Sequence, residues 1–481
     1  MNKLFKQTLL ALAATVATVG ASAATIKIIN ADPAGVGFND TTPATPVGGN
    51  EGTTIGEQRM NVYKKVAKTW GKVLPEGPAI KIQATWEALS CTSTSAVLGS
   101  AGAVSVWRDF PNAPAAGTWY SAALANTLAG SDLDEGTEPE IISRFNVNLG
   151  AANCLAGQSF YLGLDGNAPT GQIDFAVVLT HEVGHGLGFQ ALTSGSTGAR
   201  IADETGVAFP SQWERMMFDN TAGKTWFDMT DAERAKSAIN PRGLVWTGAN
   251  VTTDMPSVLS KGTPILTVKS DKFPAIAGAY QVGPASFGPA LSSSAIKGTI
   301  ARVIDQADGV TGLACNPLSA ENAALVAGNV ALVDRGTCSF TIKVKNAQDA
   351  GALAVIVADN TAGGPPAGLG GADATVTIPS VRITLDDGIK LKTVLTPTDP
   401  AKHAVRAVLG VDKAFYAGAD AAGRVMLYTP NPYQSGSSVS HWDTLATRNL
   451  LMEPAINADL PTFKVSAPKD LTLELLKDIG W

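Results

Sequence analysis

The sequence predicts an α+β protein in which a mixed helix-and-strand region is interrupted by a β-rich insert. Three observations predict this. Gly and Pro number 49 and 27 in 481 residues, a turn density that suits many short strands. At about 150 residues per domain the length allows roughly three domains. The character of the chain changes near Lys261 and changes back near residue 409. The expected units are therefore 1–23, 24–260, 261–408 and 409–481. A hydrophobic fraction of 45% excludes a disordered chain, and a net charge of −6 argues against a nucleic-acid partner.

Met1 to Ala23 has the form of a signal peptide. Lys3 and Lys6 are the positive start, Leu9 to Val19 the apolar run, and Ala21-Ser22-Ala23 the small-residue cleavage site. The apolar run is shorter than the ~20 residues a membrane span needs, and no later segment spans. The expectation is a secreted chain, periplasmic or extracellular, with no membrane span once processed. Its four cysteines, Cys91, Cys154, Cys315 and Cys338, then meet an oxidising compartment. Four cysteines allow three pairings. Cys91 with Cys154 and Cys315 with Cys338 keep each bridge inside one expected unit.

Along the chain, Thr25 to Ile29 and the alternating Ile80 to Trp86 read as strands. Gln58 to Trp70 has helical spacing, through Met60, Tyr63, Val66 and Trp70. Ser121 to Leu128 reads as a helix, and Pro139 to Val147 is ambiguous. Gly171 to Gly188 is the strongest helix, stopped by glycines. In the insert, Ile265 to Val268 and Val330 to Val333 read as strands. Gly363 to Pro366 and Gly368 to Gly371 read as one loop. Leu471 to Ile479 closes the chain as a helix.

The chemistry concentrates in His181-Glu182-Val183-Gly184-His185, an H-E-x-x-H motif in a chain with only four histidines. Four helical residues exceed one turn slightly, so both imidazoles leave one face about 6 Å apart along the axis. That suits one Zn²⁺, with Glu182 beside the first ligand as a general base for water. A catalytic zinc needs a third protein ligand and one open position. Glu204 is an acidic candidate for it. His403, in a polar turn, reads as an ordinary surface histidine. His441 is the stronger candidate.

Gly188, three residues after His185, resembles the helix break of metzincin zinc proteases. The position where most metzincins carry the third ligand is Ala191, which cannot bind metal. The run Ser438-Val439-Ser440-His441-Trp442, followed eleven residues after His441 by Met452, resembles leishmanolysin-type metzincins. There the third histidine lies far downstream and a Met-turn forms an apolar floor under the metal. The resemblance implies His181, His185 and His441 as ligands, and Met452 as the floor. It also implies a metzincin-like domain with a mixed twisted sheet and a zinc helix.

His441 lies 256 positions after His185, a gap longer than this family needs. Within it, Val330 to Asp334 followed by Arg335-Gly336-Thr337-Cys338-Ser339-Phe340 resembles the protease-associated (PA) domain. Lys343 to Ala350, Val355 to Val357, Ile378 to Val381 and Asp386 to Gly388 continue the same order. Such domains bind substrates or other proteins. Together the motifs imply an exported zinc endopeptidase with one catalytic Zn²⁺, in which Glu182 activates a zinc-held water against protein or peptide substrates. The alternative is a surface or adhesion module whose zinc is structural, without peptidase activity. Asp165-Gly166-Asn167 is a weak calcium candidate, without EF-hand spacing.

Overall fold

The computed structural model describes residues 23–93, 95–169, 171–364, 366, 368–371, 373–395, 404–457 and 460–481. Residues 1–22 of the expected signal peptide, and His403, lie outside the described residues.

The first sheet is built from β1 (Ile26–Asn30), β2 (Ile80–Glu87), β3 (Gly99–Ala103) and β4 (Ile141–Asn146), in the order β1-β2-β4-β3. The first three in that order run parallel, and β3 is antiparallel to β4 at the edge. β2 shows why it forms a strand: Ile80, Ile82, Ala84 and Trp86 point inward and their neighbours do not. The ambiguous stretch 139–147 is a strand because Ile141, Ser143 and Phe145 bury one face against helices.

Helix α1 (Ile55–Gly71) starts earlier than its apolar spacing indicates, because Thr54 and Glu57 form a capping box. Its inner face carries Val62, Tyr63, Val66 and Trp70. Helix α2 spans Ala122–Ala129. The expected helix from Gly171 divides in two. Gln172–Asp174 pairs with Ser159–Tyr161 as a short strand, and α3 spans Phe175–Gly186. Asp174 explains the division, since its carboxylate caps the N–H groups of Ala176 and Val177.

The insert carries one eight-stranded sheet. Its strands are β5 (Lys261–Lys269), β6 (Gly278–Gln281), β7 (Gly283–Pro284), β8 (Ile296–Arg302), β9 (Val330–Asp334), β10 (Ala354–Ala358), β11 (Ser380–Ile383) and β12 (Arg406–Tyr416). The order is β6-β5-β12-β8-β9-β10-β11-β7. The insert expected to be β-rich also carries helices, one of them over the expected Lys343 to Ala350. β8 to β11 are parallel; a helix (Ala320–Val326) joins β8 to β9 and α4 (Phe340–Asp349) joins β9 to β10. β9 and β10 are buried along their whole length, which demands cover on both faces.

The boundary placed at 408/409 falls inside β12. That strand pairs with β5 from Arg406 opposite Lys269 to Tyr416 opposite Lys261, so both chain crossings form one ribbon. On either side of the ribbon the cores are separate. One contains residues 62–259 and 419–479, and two smaller ones lie within 266–409. The last helix, α5 (Thr472–Ile479), returns to the large core. The bridges are Cys91–Cys154 and Cys315–Cys338.

Candidate metal centre

Helix α3 lies across β3 and β4 and is buried from end to end. Glycine makes this approach close. A Cβ on Gly186 would sit 2.4 Å from Ile141 Cγ2, and one on Gly184 would sit 2.9 Å from Met452 Sδ. Gly188 ends the helix with φ +117°, donating to His185 O while Phe189 N–H donates to Gly184 O. This is the Schellman arrangement, which favours glycine at the first residue past the cap. The turn also aims Phe189 O back at His185 Nδ1, 2.7 Å away.

The two other histidines are oriented in the same way. His181 Nδ1 lies 2.7 Å from Leu451 O, and His441 Nδ1 lies 2.8 Å from Ser437 O. A carbonyl only accepts, so each Nδ1 carries the proton and each Nε2 presents a lone pair. Those Nε2 atoms converge, 3.1 Å between His181 and His185 and 3.2 Å between His185 and His441. Three lone pairs at this distance have no hydrogen to share, so the cluster calls for a cation. Zinc bound tetrahedrally to imidazole nitrogens at ~2.05 Å would hold them ~3.3 Å apart. The donor set therefore fits zinc. Burial drives the His181 pKa down to about 3 and the His185 pKa to about 4, and it drives His441 well below its ordinary value. All three are thus neutral. The oriented Nδ1–H to carbonyl bonds are the support that metal-binding histidines use.

Glu182 is buried beside His181, and its carboxylate accepts the N–H of Ala101 on β3. Desolvation pushes its carboxyl up to about 8. A dication at the three Nε2 atoms would pull it down again.

His441 reaches the helix through the segment that follows β12. Leu427 pairs with Trp442, Tyr428 N–H donates to His441 O, and Asp443 N–H donates to Met426 O. Trp442 N–H in turn donates to Met452 O. Met452 is fully buried against Gly184, which lies between His181 and His185 on α3. Ala191, which cannot bind metal, instead donates its N–H to Ser440 Oγ next to His441. Among the described residues, His181, His185 and His441 form a group able to hold a metal. Glu204 is exposed and stands outside it. Asp165 is occupied locally, accepting from Tyr161 OH and Asn167 N–H.

Several contributors left no signal in the sequence. Leu451, Phe189 and Ser437 act through backbone oxygens, which no side-chain pattern reports. Asp470 accepts the N–H of Leu451, and Trp481 Nε1 donates to Leu187 O just past α3. Asp470 is detectable only as a buried acid, which needs the fold.

Residues 297–391 match the PA domain family, so the insert contains a PA domain. The receptor homology region, transmembrane domain- and RING domain-containing protein 1 of Oryza sativa subsp. japonica is 36% identical over 117 residues, 24% of this chain and 20% of that protein. A probable lipoprotein aminopeptidase of Mycobacterium tuberculosis is 42% identical over 73 residues, 15% of each. Vacuolar-sorting receptor 2 of Arabidopsis thaliana is 42% identical over 77 residues, 14% of this chain and 12% of the receptor. The chain thus spans a fifth or less of the length of these relatives. Among solved structures, an aminopeptidase from Aneurinibacillus sp. strain AM-1 has TM-score 0.22 and 24% identity, covering 32% of this chain and 31% of that one. A zinc aminopeptidase from Bacillus subtilis has TM-score 0.22 and 19% identity, covering 34% and 36%. Likenesses this partial leave the chemistry around the three histidines to the geometry of this chain.

Proposed function

We propose that this chain is an exported zinc endopeptidase of the leishmanolysin-like metzincin type, carrying a PA domain between its second and third ligands. The observation that carries the reading is the convergence of three Nε2 lone pairs, each imidazole fixed by a carbonyl at Nδ1, beside a buried carboxylate. His181, His185 and His441 would hold the zinc. Zinc in such a site supplies Lewis-acid polarisation of a carbonyl and lowers the pKa of water. Glu182 accepts the proton of the attacking water at its carboxylate and delivers it to the leaving amine nitrogen. The Ala101 N–H holds that carboxylate in place between β3 and α3. Met452 packs beneath the ligands and takes no part as a donor. No described helix is long and apolar enough to cross a membrane, and both disulfides suit an exported chain.

The test is metal analysis and casein cleavage for the wild type, Glu182→Ala and His441→Ala. Amino-acid p-nitroanilides, run alongside, separate internal cleavage from release of N-terminal residues. Chelator-sensitive cleavage of internal bonds, lost in both variants, is the expected result. Full casein cleavage by Glu182→Ala would refute the mechanism. Tight zinc without cleavage of any denatured protein would favour the structural-zinc alternative.

A further inference from the structure

A cavity of about 340 Å³ opens where the insert meets the larger core. Its wall is mostly apolar: Ile265, Tyr280, Phe415, Met426 and Leu445, with Arg242 among them. Such a volume with few polar groups is typical of a binding pocket.

The cavity sits at a notch in the sheet edge. β6 is the outermost strand and pairs with β5 from Val268 to Ile265. There β6 ends at Gln281, and the chain turns away into β7. β5 continues to Lys261, leaving residues 261–264 without a strand on that side among the described residues. Ala279, Tyr280 and Gln281 all line the cavity, as do Thr263, Pro264 and Ile265. Consecutive strand residues face opposite ways, so the cavity meets these strands at their edge. An exposed edge is the surface on which extended peptides add as a strand.

The charge in the notch is specific. Asp420, also on the wall, is occupied by Arg424, Asn220 and the N–H of Ala422. Arg242 donates one bond, from Nη2 to Val282 O at 3.0 Å, and its buried Nε has no hydrogen-bond partner. Asp443 acts on this guanidinium through space. Arg242 lines the cavity, so a carboxylate entering the notch would meet its guanidinium at N–H groups other than the buried Nε.

We propose that this notch binds the C-terminal residue of a peptide or protein partner whose last side chain is apolar. The free carboxylate meets Arg242, the side chain enters the apolar wall, and the preceding backbone follows the sheet edge beyond Gln281. The site uses none of the three histidines and does not depend on the proposed hydrolysis.

The test uses the full chain carrying Glu182→Gln, so that no peptide is consumed. A fluorescein-labelled hexapeptide ending in leucine with a free carboxylate is titrated by anisotropy, beside its C-terminal amide. Saturable binding is expected, with the amide weaker by about tenfold or more, the worth of one charge-assisted hydrogen bond. Arg242→Gln should lower the acid to the level of the amide. Ala421→Trp, at an exposed position on the cavity wall, should abolish both, and it decides the matter if Arg242→Gln fails to fold. Equal binding of acid and amide, or binding untouched by Ala421→Trp, overturns the proposal. So does displacement by octanoate as effective as by unlabelled peptide, since the occupant would then be a fatty carboxylate.

Discussion

Gly186 provides a sharp test of how α3 is seated. In an exposed helix, Gly→Ala stabilises by about 1 kcal/mol. Here the added methyl would lie 2.4 Å from Cγ2, 2.8 Å from Cδ1 and 2.9 Å from Cγ1 of Ile141. Ile141 is fully buried and β-branched, so it cannot swing aside. Overpacking of this kind costs about 1–3 kcal/mol, which exceeds the helix gain. The expected net effect is a loss of up to about 2 kcal/mol. Ile141→Ala alone should cost about 2–5 kcal/mol through the cavity it leaves. In the double variant the new methyl occupies part of that cavity, so the two losses should fall short of adding by about 1 kcal/mol or more. The assay is urea unfolding followed by tryptophan fluorescence, on all four corners of the cycle. Zinc content is measured in parallel, because Gly186 adjoins His185. A more stable Gly186→Ala, or strictly additive losses, would refute this packing.

Other substitutions probe the centre and its supports. His441→Ala should lose stoichiometric zinc by metal analysis, whereas Glu182→Gln should keep it and lose about 10²–10⁴-fold in casein cleavage rate. Removing the Cys91–Cys154 bridge, with sequence separation 63, should cost about 4 kcal/mol, against about 3.5 for Cys315–Cys338 at separation 23; urea midpoints compare them. Burial lowers the Lys343 pKa in the PA domain from the ordinary 10.5 to about 8. Between those values the unfolded chain holds a proton that the folded one lacks. Stability should therefore rise from pH 8 towards 10.5 and be flat below 8, and Lys343→Met should erase that slope in thermal unfolding.

Much of the local structure was legible from spacing. The alternation in Ile80 to Trp86 and the helical repeat in Gln58 to Trp70 located β2 and α1 within a few residues. The errors came from capping chemistry. Thr54 with Glu57 extended α1, and Asp174 cut short the helix expected from Gly171. The stretch 139–147 stayed ambiguous because its apolar residues serve a face that exists only once α1 and α3 cover the sheet. The boundary expected at 408/409 falls inside β12 for a related reason: a ribbon between two units has no compositional break within it.

By itself the sequence determined the donor types and one geometric pair. His181 and His185 lie on one helical face because four residues exceed a single turn, whatever the rest of the chain does. It also marked His441 and Met452, through a motif likeness and not through distance. Only the tertiary structure decided that His441 Nε2 comes within 3.2 Å of His185 Nε2 across 256 residues. Only the fold supplied the carbonyls of Leu451, Phe189 and Ser437 that set each tautomer. The physical reason is that a helix couples residues a turn apart through its own backbone. Backbone oxygens from distant turns are identical in every sequence and acquire a role only from where the fold places them.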